Sequence, residues 1–187
     1  MNSNSEQPTL LVFAGPNGSG KSTVTRSLPP VGVYINADDI KAEYGLSDLE
    51  AAQQAEALRN QMLSKELDFS FETVLSTERN LFLVKRAKEA GYYVYGIYVL
   101  TDNPEINISR VRGRVANGGH DVPEDKIRTR YYRALTLIPK LYQLCDELLI
   151  YDNSNVPNLI FSKTEKGDEI SPTELWSEER IKELLST

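Results

Sequence analysis

Apolar residues along the chain form short strand-like runs separated by amphipathic stretches. Thr9 to Ala14 is a continuous apolar run ending at Gly15, the pattern of a strand buried on both faces of a parallel sheet. Lys21 to Leu28 follows as a helix stopped by Pro29-Pro30, and Val31 to Asn36 reads as a second strand. From Ser47 to Leu67 a long helix is predicted. Ser47 and Glu50 form a capping-box pair, and Ala51, Ala55, Leu58 and Met62 make one apolar stripe. Phe69 to Leu75 is strand-like, Glu78 to Ala90 is helical with Gly91 as its stop, and Tyr92 to Leu100 has the β-branched and aromatic content of a central strand.

The second half continues the alternation. Asn103-Pro104 starts a helix that runs to about Ala116 and breaks at Asn117-Gly118-Gly119. Pro123 opens another, with Ile127, Tyr131, Ala134 and Ile138 on one face. Glu147 to Asp152 reads as a strand, Leu159 to Lys163 as an edge strand, and Ser171-Pro172 and Ser177 as starts of short closing helices. Strands alternating with helices predict an α/β fold with a mostly parallel central sheet and helices on both faces. No Pro/Gly/Ser-rich linker divides residues 1–187, so one domain is expected.

Composition narrows the class. The chain of 187 residues is 40% hydrophobic and 26% charged, with a net charge of −6, which is globular and argues against a main role in gripping nucleic acid. One cysteine, Cys145, excludes a disulfide within the chain, and one histidine, His120, leaves little for a zinc site. No apolar run approaches the ~20 residues of a membrane span. Met1 to Pro8 is polar and lacks the apolar core of a signal peptide, so a soluble cytoplasmic protein is expected.

Gly15-Pro16-Asn17-Gly18-Ser19-Gly20-Lys21-Ser22 fits the phosphate-loop pattern in full, between an apolar strand and a helix. Backbone N–H groups and a helix N-terminus converge there on an anion. Residues Gly15 to Thr23 are therefore the candidate nucleotide site, with Lys21 for the β- and γ-phosphates of ATP and Ser22 as a ligand of Mg²⁺.

Acids follow the next strands, where ligands of open α/β sheets sit. Asp38 is placed to take a proton from an acceptor hydroxyl, and Asp39 reads better as a helix cap. Glu72 is either a substrate ligand or an exposed strand-end carboxylate; Asp102 reads as loop or cap. Asp152-Asn153-Ser154 is a base-side loop or an ordinary Asx turn.

Between Arg110 and Arg133 seven cations face three carboxylates, a local balance of +4. Two basic helices meeting at Gly118-Gly119 have the composition of a nucleotide-kinase lid over residues 103–140, with the glycine break as a hinge. Arg114 and Arg130 are the candidates to meet transferred phosphate, whereas Arg112 and Arg128 read as a solvated face. His120, at the break, is a substrate contact or a turn residue.

The stretches LVFAGPNGSGKST, INADDI, FETVLS, GYYVYGIYVL, RVRGRVANGGHDVPEDKIRTRYYRAL and YDNS together resemble the zeta toxin family of P-loop kinases over about residues 9–155. That resemblance implies a P-loop NTPase fold of nucleotide-kinase type and an ATP-dependent phosphotransferase. It matches Lys21 and Ser22 to ATP and magnesium, Asp38 to the base, Glu72 to substrate holding, and Arg114 to a lid arginine, with Arg110 or Arg130 as the second. Characterised members phosphorylate a UDP-activated amino sugar. This chain lacks much of the extra length that shapes their acceptor pocket, so the acceptor is left as an unidentified small molecule. An antitoxin protein is a partner implied by the resemblance alone. Two other readings stand beside the kinase: an NTP-hydrolysing switch without an acceptor, and a polynucleotide 5′-hydroxyl kinase.

Overall fold

The computed structural model describes residues 7–26 and 28–186. The Thr9 to Ala14 run forms β1 and is followed by α1 (Lys21–Thr25), β2 (Val33–Ile35), α2 (Ala37–Tyr44), α3 (Asp48–Ser64), β3 (Phe69–Thr73), α4 (Arg79–Glu89) and β4 (Tyr93–Leu100). Then come α5 (Pro104–Ala116), α6 (Glu124–Thr136), α7 (Ile138–Leu144), β5 (Glu147–Asp152), β6 (Asn158–Thr164), β7 (Gly167–Ile170) and α8 (Glu178–Leu185).

The strands make one sheet in the order β2-β3-β1-β4-β5-β6-β7. The first five are parallel; β6 and β7 return antiparallel. β1 lies third, and from Leu10 onward every residue of it is buried, as its unbroken apolar run requires. β2, at an edge, is short and exposed except at Ile35. One face carries the main core: Leu10, Val12, Phe69, Phe71, Val94 and Tyr98 meet the apolar sides of α3, α4, α7 and α8. The opposite face carries a smaller cluster, in which Val24 of α1 packs on Leu11, Phe13, Ile97 and Val99.

Local signals explain most of the boundaries. Ser47 and Glu50 form the full capping box of α3. Asn103 caps α5 through Glu105 N, with Pro104 at the first position. Three expectations fail for identifiable reasons. β6 is not an edge strand, because the polar segment Gly167–Ile170 pairs with it; its one apolar residue gave no strand signal. No helix starts at Ser171-Pro172. Instead Thr173 and Trp176 bond reciprocally, Thr173 N to Trp176 O at 2.8 Å and Trp176 N to Thr173 Oγ1 at 3.1 Å, which seats the buried indole. The helix opened by Pro123 stops at Thr136, since Pro139 lacks the N–H to continue it and starts α7 instead. No described helix is long and apolar enough to cross a membrane.

Candidate functional site

The parallel register sets Ala14 of β1 against Thr73 of β3, and Ile35 of β2 against Phe71. β1 and β3 thus end level, β2 ends two residues short of them, and the segments at and after these strand ends share one cavity of about 430 Å³. Asn17, Gly18 and Gly20 line it from the first loop with Lys21, Ser22 and Thr23 from the start of α1, Asn36, Ala37 and Asp38 from the start of α2, and Glu72, Thr73 and Val74 from the end of β3. Arg110, Val111 and Arg114 of α5 form its remaining wall.

The first loop is clamped from behind. Gly15 N donates to Thr73 O (3.1 Å), Asn107 Nδ2 to Asn17 O (2.7 Å) and Asn153 Nδ2 to Ser19 O (2.8 Å). Gly18 (φ 74°) and Gly20 (φ 85°) lie where no side chain fits. A Cβ on Gly18 would come within 2.4 Å of Asn107 O, and one on Gly20 within 2.1 Å of Asn153 Nδ2. Gly15, Pro16 and Ser19 sit behind the lining residues, buried. The Ser19 hydroxyl is buried without a hydrogen-bond partner among the described residues. The loop backbone at Gly18 and Gly20, where no Cβ fits, and Lys21 on the cavity wall suit an anionic ligand.

Lys21 Nζ donates to Gly15 O (2.8 Å) and Pro16 O (3.3 Å). Burial pulls its pKa below the ordinary lysine value; the carboxylates of Glu72 and Asp38 oppose that shift, and Arg114 adds to it. Glu72 is held by Tyr34, whose phenol donates to Glu72 Oε1 (2.7 Å) and accepts from Asn36 Nδ2 (3.2 Å). Burial, then the carboxylate, push the Tyr34 pKa up, so the phenol stays a donor. Neither Tyr34 nor Asn36 was marked as a site residue by sequence, which placed Asn36 at the end of the second strand. Asn36 Oδ1 accepts from Asp38 N (2.9 Å), which makes Asn36 the cap of α2. This corrects the cap reading of Asp39: the extended backbone falls at Asn36, and Asp39 lies inside the first turn, clear of the cavity wall.

The basic hairpin has a different build from the one expected. α5 and α6 are joined by an apolar cluster of Ile108, Val111, Val122 and Ile127. Arg112 pairs with Glu124 and Arg128 with Glu105, both across the hairpin and exposed. The Gly118-Gly119 corner closes α5 with two backbone bonds, Gly118 N to Val115 O (2.9 Å) and Gly119 N to Arg114 O (3.0 Å). It joins two helices packed together and forms the outer tip of the hairpin.

Arg114 lines the cavity and its Nη2 donates to His120 O (2.7 Å). His120 itself is exposed and outside the cavity wall. Arg130 does not line the cavity either, but its Nη1 donates to Asn17 Oδ1 at 3.2 Å. Arg110 does, while donating to Ser19 O (3.3 Å) and Ser154 O (3.1 Å). Asp102 pairs with Arg180 of α8, away from the cavity. Asp152 Oδ1 accepts from Ser154 N in an Asx turn, and this turn presents Asn153 to the back of the loop. Asn107 and Asn153 were missed as loop supports; a single buried asparagine in a helix or turn has no pattern of its own.

The pattern of the family described as Zeta toxin matches residues 1–165. The chain belongs to the zeta toxin family. An uncharacterized protein of Haemophilus influenzae (strain ATCC 51907 / DSM 11121 / KW20 / Rd) is 33% identical over 131 residues, 67% of this chain and 94% of that protein. The fold is shared with the AvrRxo1-ORF1:AvrRxo1-ORF2 complex, at a TM-score of 0.75 and 16% identity over 98% of this chain. The chain spans 65% of that structure's length. A structure of the same pair with ATP gives a TM-score of 0.74 at 15% identity, over 98% of this chain and 65% of that one. The PezAT toxin-antitoxin system of Streptococcus pneumoniae matches with a TM-score of 0.60 at 19% identity, covering 100% of this chain and 91% of that one. The zeta toxin membership and these folds agree with the P-loop α/β architecture described above.

Proposed function

We propose that this zeta toxin family member is an ATP-dependent phosphotransferase that moves the γ-phosphoryl group to a hydroxyl of a small molecule. The observation that carries the reading is that Lys21, Ser22, Asp38, Glu72 and Arg114 all line one cavity at the C-terminal ends of β1, β2 and β3. Family membership and an ATP-bound structure of the same fold support the nucleotide.

In this reading the amides between Gly15 and Ser22 receive the polyphosphate, and Lys21 exchanges the loop carbonyls for phosphate oxygens. Mg²⁺ fits the hard oxygen donors of the cavity, with the Ser22 hydroxyl as its protein ligand, and would neutralise phosphate charge when bound. Asp38 accepts the proton of the acceptor hydroxyl. Glu72, fixed by Tyr34, orients that acceptor. Arg114 stabilises charge on the transferred group, and Arg130 acts on the nucleotide through Asn17. Most of the rate comes from positioning and charge stabilisation. The cytoplasm, where ATP is abundant, is the compartment we propose for it. The toxin-antitoxin nature of PezAT supports an antitoxin protein as a partner.

The test is incubation with labelled ATP, Mg²⁺ and a panel of UDP-amino sugars, other sugar nucleotides, nucleosides and oligonucleotides. Label appearing on a small-molecule hydroxyl supports the reading. Label on an oligonucleotide 5′ end makes the chain a polynucleotide kinase, and ATP hydrolysis indifferent to every acceptor makes it a switch.

A further inference from the structure

A second cavity, of about 350 Å³, lies between α3 and α4. Its walls include Glu56, Arg59, Asn60, Glu78, Arg79 and Arg86. Its two carboxylates are committed to other cations: Glu56 takes both Nε and Nη2 of Arg79, and Glu78 takes Lys140. That leaves Arg86 without an ion pair among the described residues, and Arg59 shares the charge of Glu56 with Arg79, which holds that carboxylate directly. Arg86 Nη1 donates to the neutral amide oxygen of Asn60 (2.7 Å). Arg59 is held 5.1 Å from the ring centroid of the fully buried Phe71, and its Nε is shut off from water with no hydrogen-bond partner among the described residues. Desolvation lowers the Arg59 pKa from its usual value.

A half-buried guanidinium is costly unless its N–H groups are paired. The ring of Phe71 offsets part of that cost from one side and gives Nε nothing to donate to. Both side chains line this cavity, so a small oxyanion in it would face the outer N–H groups of Arg59 and of Arg86, whose fork of donors suits carboxylate and phosphate.

We propose that the α3–α4 groove is an oxyanion-binding site, separate from the phosphate loop, for a phosphate or carboxylate group of a small molecule. It adjoins the first cavity: Asn80, on its wall, donates from Nδ2 to Thr73 Oγ1 (2.7 Å), and Thr73 lines the other. The site does not depend on the proposed kinase activity.

The test uses the full chain with its phosphate loop saturated by a non-hydrolysable ATP analogue. Inorganic phosphate and malonate are titrated separately, and the ¹⁵N–¹H signals of the Arg59 and Arg86 side chains are followed by NMR against sodium chloride at equal ionic strength. A saturable shift of the Arg59 Nε–H signal is expected with at least one probe. Phosphate alone would name a phosphate ligand, malonate alone a carboxylate ligand, and both a general oxyanion site. Arg59→Met, which keeps an apolar stem over Phe71, should abolish the saturable binding seen by calorimetry. Arg86→Met, at an exposed position, should weaken it roughly tenfold. Should Arg59→Met not fold, the wild-type titration and Arg86→Met decide. Shifts no different from those in sodium chloride, or affinity unchanged in Arg86→Met, would overturn the proposal.

Discussion

The Tyr34 phenol donates a 2.7 Å hydrogen bond to Glu72 Oε1 from the neighbouring strand. The register explains the contact: Tyr34 pairs with Ser70, so Glu72 is two residues on and on the same side of the sheet. The Tyr34 ring also meets Phe13 edge-on, with centroids 6.4 Å apart. A carboxylate fixed this way presents one set orientation to an acceptor. Tyr34→Phe keeps the ring and removes only the donor. It should raise the acceptor KM about fivefold, the equivalent of about 1 kcal/mol, and leave the ATP KM unchanged. Steady-state kinetics with each substrate varied in turn would check this, and equal changes in both KM values would contradict the role given to Glu72.

In its proposed role Lys21 would couple nucleotide binding to pH. Its proton is held less firmly than on an ordinary lysine, mainly because it is buried. Polyphosphate beside it favours the ammonium. Above the Lys21 pKa of the free protein, binding therefore takes up a proton, and affinity falls as pH rises. ATP-analogue affinity should decline as pH rises through the lowered Lys21 pKa, below the ordinary lysine range, with proton uptake measured by calorimetry in buffers of different ionisation enthalpy. Lys21→Ala should abolish ATP turnover and the proton uptake. Its melting temperature should change little, because the substitution removes a desolvated charge along with two hydrogen bonds to loop carbonyls.

The loop depends on a close approach between Gly20 and Asn153. Alanine at position 20 would meet Asn153 Nδ2 at 2.1 Å and would hold a left-handed backbone at φ 85°. The backbone alone costs about 1–2 kcal/mol. Gly20→Ala should therefore lower stability and nucleotide affinity together. Adding Asn153→Gly removes the clash but also the bond to Ser19 O, so recovery should be partial. A double-mutant cycle on denaturant unfolding should return a coupling of about 1 kcal/mol or more.

Asn153 also marks the limit of what the sequence discloses. Contiguous signals were legible: the apolar run of β1, the glycine-rich loop, the Ser47–Glu50 box and the Asn103-Pro104 start each contain their own physical cause within a few residues. Asp38 and Glu72 could be placed near the loop because strand ends carry ligands. What could not be read was pairing across the sheet. Tyr34 meets Glu72, Asn107 meets Asn17 and Arg130 meets Asn17 only once register and helix packing bring them together. The same holds for β7, whose strand conformation comes from its partner rather than its composition. Gly118-Gly119 was legible as the break between α5 and α6, whereas the packing of Ile108 and Val111 against Val122 and Ile127 was not.

Arg114 and Arg130 should separate in kinetics. Arg114 lines the cavity, whereas Arg130 touches Asn17 Oδ1 of the loop. Arg114→Ala should lower kcat by roughly 10³ with a smaller effect on the ATP KM, as expected of an arginine that meets transition-state charge. Arg130→Ala should act mainly on the ATP KM. The reverse pattern would exchange their roles.

Asp38 and Asp39 are adjacent in sequence, but only Asp38 lines the cavity. The Asn36 cap fixes this choice, because its side chain takes Asp38 N and sets the rotation of the first helical turn. Asp38→Asn keeps the shape and removes the proton acceptor. It should retain ATP-analogue affinity and lose phosphate transfer by about 10²–10⁴. Asp39→Asn should transfer phosphate at close to the wild-type rate and cost a few tenths of a kcal/mol in stability, from a lost negative charge near the α2 N-terminus. Single-turnover transfer measured on both variants, with binding checked separately, decides between them. A fully active Asp38→Asn would move the base to another carboxylate of the same cavity wall, which leaves Glu72.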